Sequence, residues 1–91
     1  MKANFRQLKV EVSFDEYRNL DIRKALGNAI HASTSDIGLD DVARAIYHSE
    51  GEIEISGEHA AQIVELMNFR DCMLLAAVKR AVINALTVEE S

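Results

Sequence analysis

Two short stretches with alternating apolar and polar residues are the strand signals that most constrain the fold of this 91-residue chain. They lie at 8–14 (Leu-Lys-Val-Glu-Val-Ser-Phe) and at 52–55 (Glu-Ile-Glu-Ile). Alternation of this kind is typical of a strand that is buried on one face. Because a ribbon of two strands is only marginally stable alone, we expect helices to cover it or a partner strand to extend it.

Helical periodicity dominates the rest of the chain. Three segments repeat apolar residues at the spacing of one helix face: Ile22, Ala25, Leu26, Ala29 and Ile30; Leu39, Val42, Ala43, Ile46 and Tyr47; and Ala60, Ile63, Val64 and Met67. The predicted N-caps are Asp21 for the first helix, Ser35 or Asp36 for the second, which ends near Ser49, and Ser56 for the third. We therefore expect three amphipathic helices in these segments.

The joints between these elements carry weaker signals. Residues 15–20 are expected to form a turn or a short helical connection, and residues 1–4 and 87–91 are expected to fray. Gly27 lies inside the first helix, where glycine costs about 1 kcal/mol relative to alanine, so we expect a packing reason such as close approach of the ribbon. Capping residues at 68–71 predict a bend, although a continuous helix over 57–87 is the alternative.

A fourth helical segment, residues 72–86, is apolar on most of its circumference. Such a helix is either the centre of the core or half of an oligomer interface. In a homodimer, the expected interface positions are Leu75, Val78, Val82 and Leu86. In a monomer, the same four side chains are expected to be core.

These elements predict an α+β protein, mostly helical, with the order β-α-α-β-α-α and a two-stranded ribbon packed by four helices. Its length predicts one small globular domain over residues 1–91. The hydrophobic fraction of 48% and the charged fraction of 27% are typical of such domains. The sequence leaves open whether the ribbon is parallel or antiparallel. The lone cysteine, Cys72, and the absence of a signal peptide or a long apolar run favour a cytoplasmic location without membrane contact.

No residue pattern predicts chemistry. The spacing of His31, His48, His59 and Cys72 matches no metal template, and no cofactor motif is found. The hydroxyl-rich residues 33–36 are better explained as helix caps than as a nucleophile with its base. We therefore predict that the protein is not an enzyme and needs no cofactor or metal.

Charge indicates which partners are favoured. Residues 35–65 contain eight carboxylates and one cation, Arg44. Such a surface disfavours nucleic-acid phosphates and suits a basic protein, unless the carboxylates only solvate the surface. The main prediction is a module that uses the apolar fourth helix or an exposed strand edge to bind another protein, or to bind a second copy of itself as a homodimer. The alternative is a small DNA-binding regulator that uses the helix pair 22–49.

Three segments resemble short uncharacterised proteins carried by bacterial phages and prophages. They read Ala-Leu-Gly-Asn-Ala-Ile at 25–30, Thr-Ser-Asp-Ile-Gly-Leu-Asp-Asp-Val-Ala-Arg-Ala-Ile-Tyr at 34–47, and Glu-Gly-Glu-Ile-Glu-Ile at 50–55. Proteins of this kind are small accessory or morphogenesis-module products without an established activity. The resemblance implies a bacterial or phage origin and an interaction role, and it transfers no catalytic residue.

Overall fold

The computed structural model describes residues 2–69 and 74–87, which contain two pairs of helices and four short strands. The strands are β1 (Lys2–Asn4), β2 (Leu8–Ser13), β3 (Glu16–Leu20) and β4 (Glu52–Glu54). The helices are α1 (Arg23–Ser33), α2 (Ile37–His48), α3 (Gly57–Met67) and α4 (Ala76–Thr87). The α+β class is confirmed, as is the order in which strand segments alternate with helix pairs.

The strands form two antiparallel ribbons rather than one. In the first, β1 pairs with β4 and places Ala3 opposite Ile53. In the second, β2 pairs with β3 and places Leu8 opposite Leu20. The two stretches with the alternating pattern are therefore not partners of each other. Each pairs with a strand that has no alternation of its own.

Both additional strands correct the sequence-based predictions. Residues 2–4 form β1 instead of fraying, because Ala3 is buried and the strand is paired with β4. Residues 16–20 form β3 instead of a turn or helical connection. Residues 16–19 are exposed, so β3 carries no burial pattern, and its strand conformation follows from its hydrogen bonds to β2.

A tight turn at Phe14 and Asp15 makes the β2–β3 hairpin possible. Asp15 has a positive φ of 65°, and aspartate is among the few non-glycine residues that adopt this conformation readily. Its backbone N–H donates a hydrogen bond of 2.9 Å to the Glu11 carboxylate. The pairing register shifts between Glu11 and Ser13, so the regular alternation of β2 ends near its C-terminus.

Helices α1 and α2 pack closely at Gly27. A Cβ atom on this residue would lie 2.9 Å from the backbone oxygen of Ala43 and 3.0 Å from the Cβ of Tyr47. The expected packing reason for a glycine is therefore present, but the neighbour is α2 and not the ribbon.

Helix N-termini follow the sequence predictions in two of three cases. The Asp36 carboxylate accepts a hydrogen bond from Leu39 N at 3.2 Å, and the Ser56 hydroxyl accepts one from His59 N at 3.1 Å. The first helix differs, because its N-cap is Ile22 and no side chain caps it. Asp21 instead binds Arg23.

A single hydrophobic core joins the ribbons to the helices. Its largest fully buried side chains come from every part of the chain: Phe5, Val10, Leu26, Ile30, Ile46, Ile55, Ile63 and Val82. Helix α4 packs against both β2 and α3. This position over β2 leaves one side of α4 facing the hairpin.

Helices α3 and α4 are separate. Helix α3 ends at Met67, its C-cap is Asn68, and Leu75 precedes α4 in a non-helical conformation. The predicted bend at 68–71 and the predicted start of the fourth segment at Cys72 fall partly on residues 70–73, which lie outside the described residues, as do 88–91. Within the part of the chain that the structure describes, no helix has the length and apolar character needed to span a membrane.

Candidate functional site

A groove between the β2–β3 hairpin and α4 has a cavity volume of about 460 Å³. The hairpin contributes Val12, Phe14 and Tyr17 to its lining. Helix α4 contributes three small side chains, Ala76, Ala77 and Ala81. Because alanine side chains are short, this side of the helix leaves open space beneath the hairpin.

Apolar side chains border the groove without being buried. Phe14 is 93% exposed at the hairpin tip, Tyr17 is 54% exposed and Val12 is 43% exposed. Burial of a phenylalanine side chain stabilises a protein by roughly 1.5–3 kcal/mol. Phe14 contributes almost none of this stabilisation in the described structure, because it is nearly fully exposed. Exposed apolar residues grouped around a groove are typical of an interaction site.

The charges in and around the groove are unevenly placed. Lys9, Arg80 and Glu11 line it, so cations outnumber carboxylates among the described residues of the groove, although the whole chain has a formal net charge of −5. The Lys9 ammonium lies 4.9 Å from the centre of the Tyr17 ring, a cation–π contact. At the hairpin tip, by contrast, Phe14 is followed by two carboxylates, Asp15 and Glu16.

The four predicted interface residues divide between surface and core. Leu75 is 76% exposed and Val78 is half-buried, whereas Val82 and Leu86 are buried in the core of the single chain. For Val82 and Leu86, this burial is what the monomer alternative predicts. The sequence analysis did not identify the side of α4 that lines the groove. The sequence feature that marks this side is the set of small residues at 76, 77 and 81 beside Arg80.

A second polar cluster lies between α1 and α2. His31 Nδ1 is 2.5 Å from Asp40 Oδ1, and the adjoining cavity of about 210 Å³ is also lined by Arg44, Tyr47 and His48. The pair connects the last turn of α1 to the first turn of α2. Sequence spacing did not reveal it, because the contact depends on how the two helices pack.

In residues 2–69 and 74–87, no group of three or more His, Cys, Asp or Glu side chains is arranged to hold a metal ion. Cys72 lies outside these ranges.

Two arginines hold the segment that follows α2. The Arg23 guanidinium donates to the backbone oxygen of Ser49, and Arg6 donates to that of Glu50 at 3.0 Å. Arg23 also forms a salt bridge of 2.7 Å with Asp21. Hydrogen bonds from Arg23 lower the pKa of Asp21 to about 2, and the Asp21 carboxylate raises the pKa of Arg23.

Two of the cations on the helix pair α1–α2 contact other groups of the protein, whereas Arg44 on α2 is exposed. Arg23 is engaged by Asp21 and Ser49, and the Lys24 ammonium lies 5.9 Å from the Tyr47 ring centre. The first turns of α2 and the residue before it carry three carboxylates, Asp36, Asp40 and Asp41. These charges repel phosphate at the end of the helix that a DNA-recognition helix normally presents.

Comparisons of the chain with known protein families, with curated proteins and with solved structures find no match. The fold and the groove therefore define the class of protein only as a small α+β domain with an apolar surface groove.

Proposed function

We propose that this protein is a non-catalytic protein-interaction module of bacterial or prophage origin. Its binding site is the groove between the β2–β3 hairpin and α4. The observation that carries the proposal is Phe14, a large apolar side chain that is 93% exposed beside a groove of about 460 Å³. The resemblance to phage and prophage proteins supports the origin and the interaction role.

The lining of the groove indicates the chemistry of its partner. Its walls carry the methyl groups of Ala76, Ala77 and Ala81, which suit an inserted apolar side chain. An aromatic ring fits the volume and can contact the exposed Tyr17, and paired aromatic rings contribute about 0.5–1.5 kcal/mol beyond their buried area. Lys9 and Arg80 favour carboxylates beside that ring. We therefore propose a partner segment with an aromatic residue flanked by acidic residues.

Titration of the isotope-labelled protein with short capped peptides, followed by NMR, tests this proposal. A peptide with Phe between Asp and Glu should shift the amide signals of Val12, Tyr17 and Ala77. Two matched peptides serve as controls, one with Lys in place of the acidic residues and one with Ala in place of Phe. Both should bind more weakly.

Matched protein variants locate the site. Arg80→Glu reverses a groove charge and should weaken binding of the acidic peptide about tenfold, the effect of losing one favourable charge contact of roughly 1.4 kcal/mol. Arg44→Glu makes the same charge change on α2, away from the groove, and should leave binding unaltered. Shifts confined to α1 and α2, or equal binding of all three peptides, would refute the groove as the binding site.

A further inference from the structure

We infer that the partner segment is supplied by a second copy of this chain, through reciprocal insertion of Phe14 into the groove. This inference rests on the proposed function, since it identifies the occupant of the same site. In a two-fold dimer, the hairpin tip of each protomer would enter the groove of its partner. Such an interface uses one surface patch twice and must be complementary to itself.

The chain carries both halves of the required chemistry. The tip presents Phe14 followed by Asp15 and Glu16, which is an aromatic residue beside carboxylates. The groove presents alanine methyl groups together with Lys9 and Arg80, and Glu11 is the one carboxylate that lines it among residues 2–69 and 74–87. Tip and groove therefore have opposite charge and matching apolar character.

The positions of the two halves allow both contacts to form at once. Phe14 lines the edge of its own groove, so tip and groove lie side by side on one face of the molecule. A two-fold axis between them would bring each tip to the partner's groove. The φ of 65° at Asp15 fixes the turn, and Phe14 is 93% exposed, so the ring is available without rearrangement of the core.

One of the sequence-predicted interface residues is exposed and adjacent in sequence to the groove lining. Leu75 immediately precedes Ala76, which lines the groove, and it is 76% exposed.

A charge-exchange experiment tests the arrangement. Glu16→Lys reverses the charge at position 16 and leaves the tip neutral, because Asp15 remains, and Arg80→Glu makes the groove acidic; both residues are exposed, so neither change disturbs the core. Asp15 is left unchanged because its positive φ restricts substitution. In a homodimer of either variant, position 16 of each protomer and position 80 of its partner carry like charges at both contacts. In a mixed dimer, both contacts again join opposite charges.

Light scattering over a micromolar to millimolar concentration series gives the readout. We expect the native chain to reach twice 10.1 kDa, each variant to remain near 10.1 kDa, and the equimolar mixture to return to the doubled mass. Phe14→Ser should raise the dimer dissociation constant at least about 100-fold, because two aromatic insertions are lost. Arg44→Glu should dimerise as the native chain does, and circular dichroism should show all variants folded.

The outcomes separate this inference from the proposed function. A native chain that stays monomeric, while acidic aromatic peptides bind the groove of the Glu16→Lys variant, overturns self-association and leaves the interaction site standing. If neither dimerisation nor peptide binding is observed, both proposals fail. A native dimer whose two charge variants do not recombine refutes the insertion of the tip into the groove.

Discussion

The backbone of α1 at Gly27 lies so close to α2 that a Cβ atom there would be 2.9 Å from the backbone oxygen of Ala43. A backbone oxygen cannot rotate away as the end of a long side chain can. Gly27→Ala should therefore separate the helices and cost about 1–3 kcal/mol of unfolding free energy by overpacking. The higher helix propensity of alanine offsets up to about 1 kcal/mol of this loss in unfolding free energy.

Urea unfolding measures this effect. Gly57→Ala is the matched control, because a Cβ at that position in α3 would have no described atom within 4 Å beyond its chain neighbours and the backbone of its own helix. We expect a lower urea midpoint for Gly27→Ala and an unchanged or higher one for Gly57→Ala. Equal midpoints for Gly27→Ala and the native chain would show that the helices do not pack as described.

The Asp21–Arg23 salt bridge predicts a component of acid sensitivity. The pKa of Asp21 falls from 3.8 to about 2 on folding, chiefly through hydrogen bonds from Arg23. A lowered pKa in the folded state stabilises the protein above the unfolded pKa, and this stabilisation is lost as the pH falls from near 4 toward 2. Asp21→Asn should therefore reduce the slope of unfolding free energy against pH in that window.

Urea unfolding at a series of pH values between 6 and about 2 checks this slope. Asp41→Asn, the same charge change at an exposed position of α2 outside the Asp21–Arg23 salt bridge, serves as the control. An identical slope in Asp21→Asn and the native chain would argue against the salt bridge in solution.

Two residues of the predicted interface should respond oppositely to the introduction of a charge. Val82 is fully buried, whereas Leu75 is 76% exposed. Val82→Asp places a carboxylate in the core without a partner and should unfold the protein, since an uncompensated buried charge costs several kcal/mol. Leu75→Asp should stay folded and show native circular dichroism. A folded Val82→Asp variant would mean that this side chain belongs to an interface instead of the core.

The contact between His31 and Asp40 should contribute little to stability. Its Nδ1–Oδ1 distance is 2.5 Å, but the His31 side chain is largely exposed, and exposed ion pairs typically contribute about 0.2–1 kcal/mol. A double-mutant cycle with His31→Ala and Asp40→Ala, measured by urea unfolding, should give a coupling energy in this range. A much larger coupling would indicate a tightly coupled site between α1 and α2.

Features encoded over a few neighbouring residues were predictable. Helix caps at Asp36 and Ser56 depend on a side chain and an amide three residues apart. The apolar faces of α1, α2 and α3 repeat within one or two turns. The predicted ends of these helices are accordingly within a few residues of the observed ones, and the prediction of a glycine at a packing contact is confirmed.

Features that depend on contacts between distant residues were not predictable from the sequence. Strands β1 and β3 show no alternation, because Ala3 is their one buried residue; they exist through pairing with β4 and β2. The groove also depends on contacts between distant residues, since Phe14 and Ala77 line it together only after α4 packs on β2. The His31–Asp40 contact likewise requires that α1 and α2 first come together at Gly27.

The amino-acid sequence by itself determined the α+β class, the four helices and two of their caps, because hydrogen bonding and apolar periodicity act over short separations. The tertiary structure alone decided which strands pair, which residues of α4 are core, and where a groove remains open. These features depend on which segments, far apart in sequence, bury their apolar surfaces against one another. Val82 and Leu75 illustrate the difference: the same helical pattern contains both, and packing against β2 and α3 buries only the first.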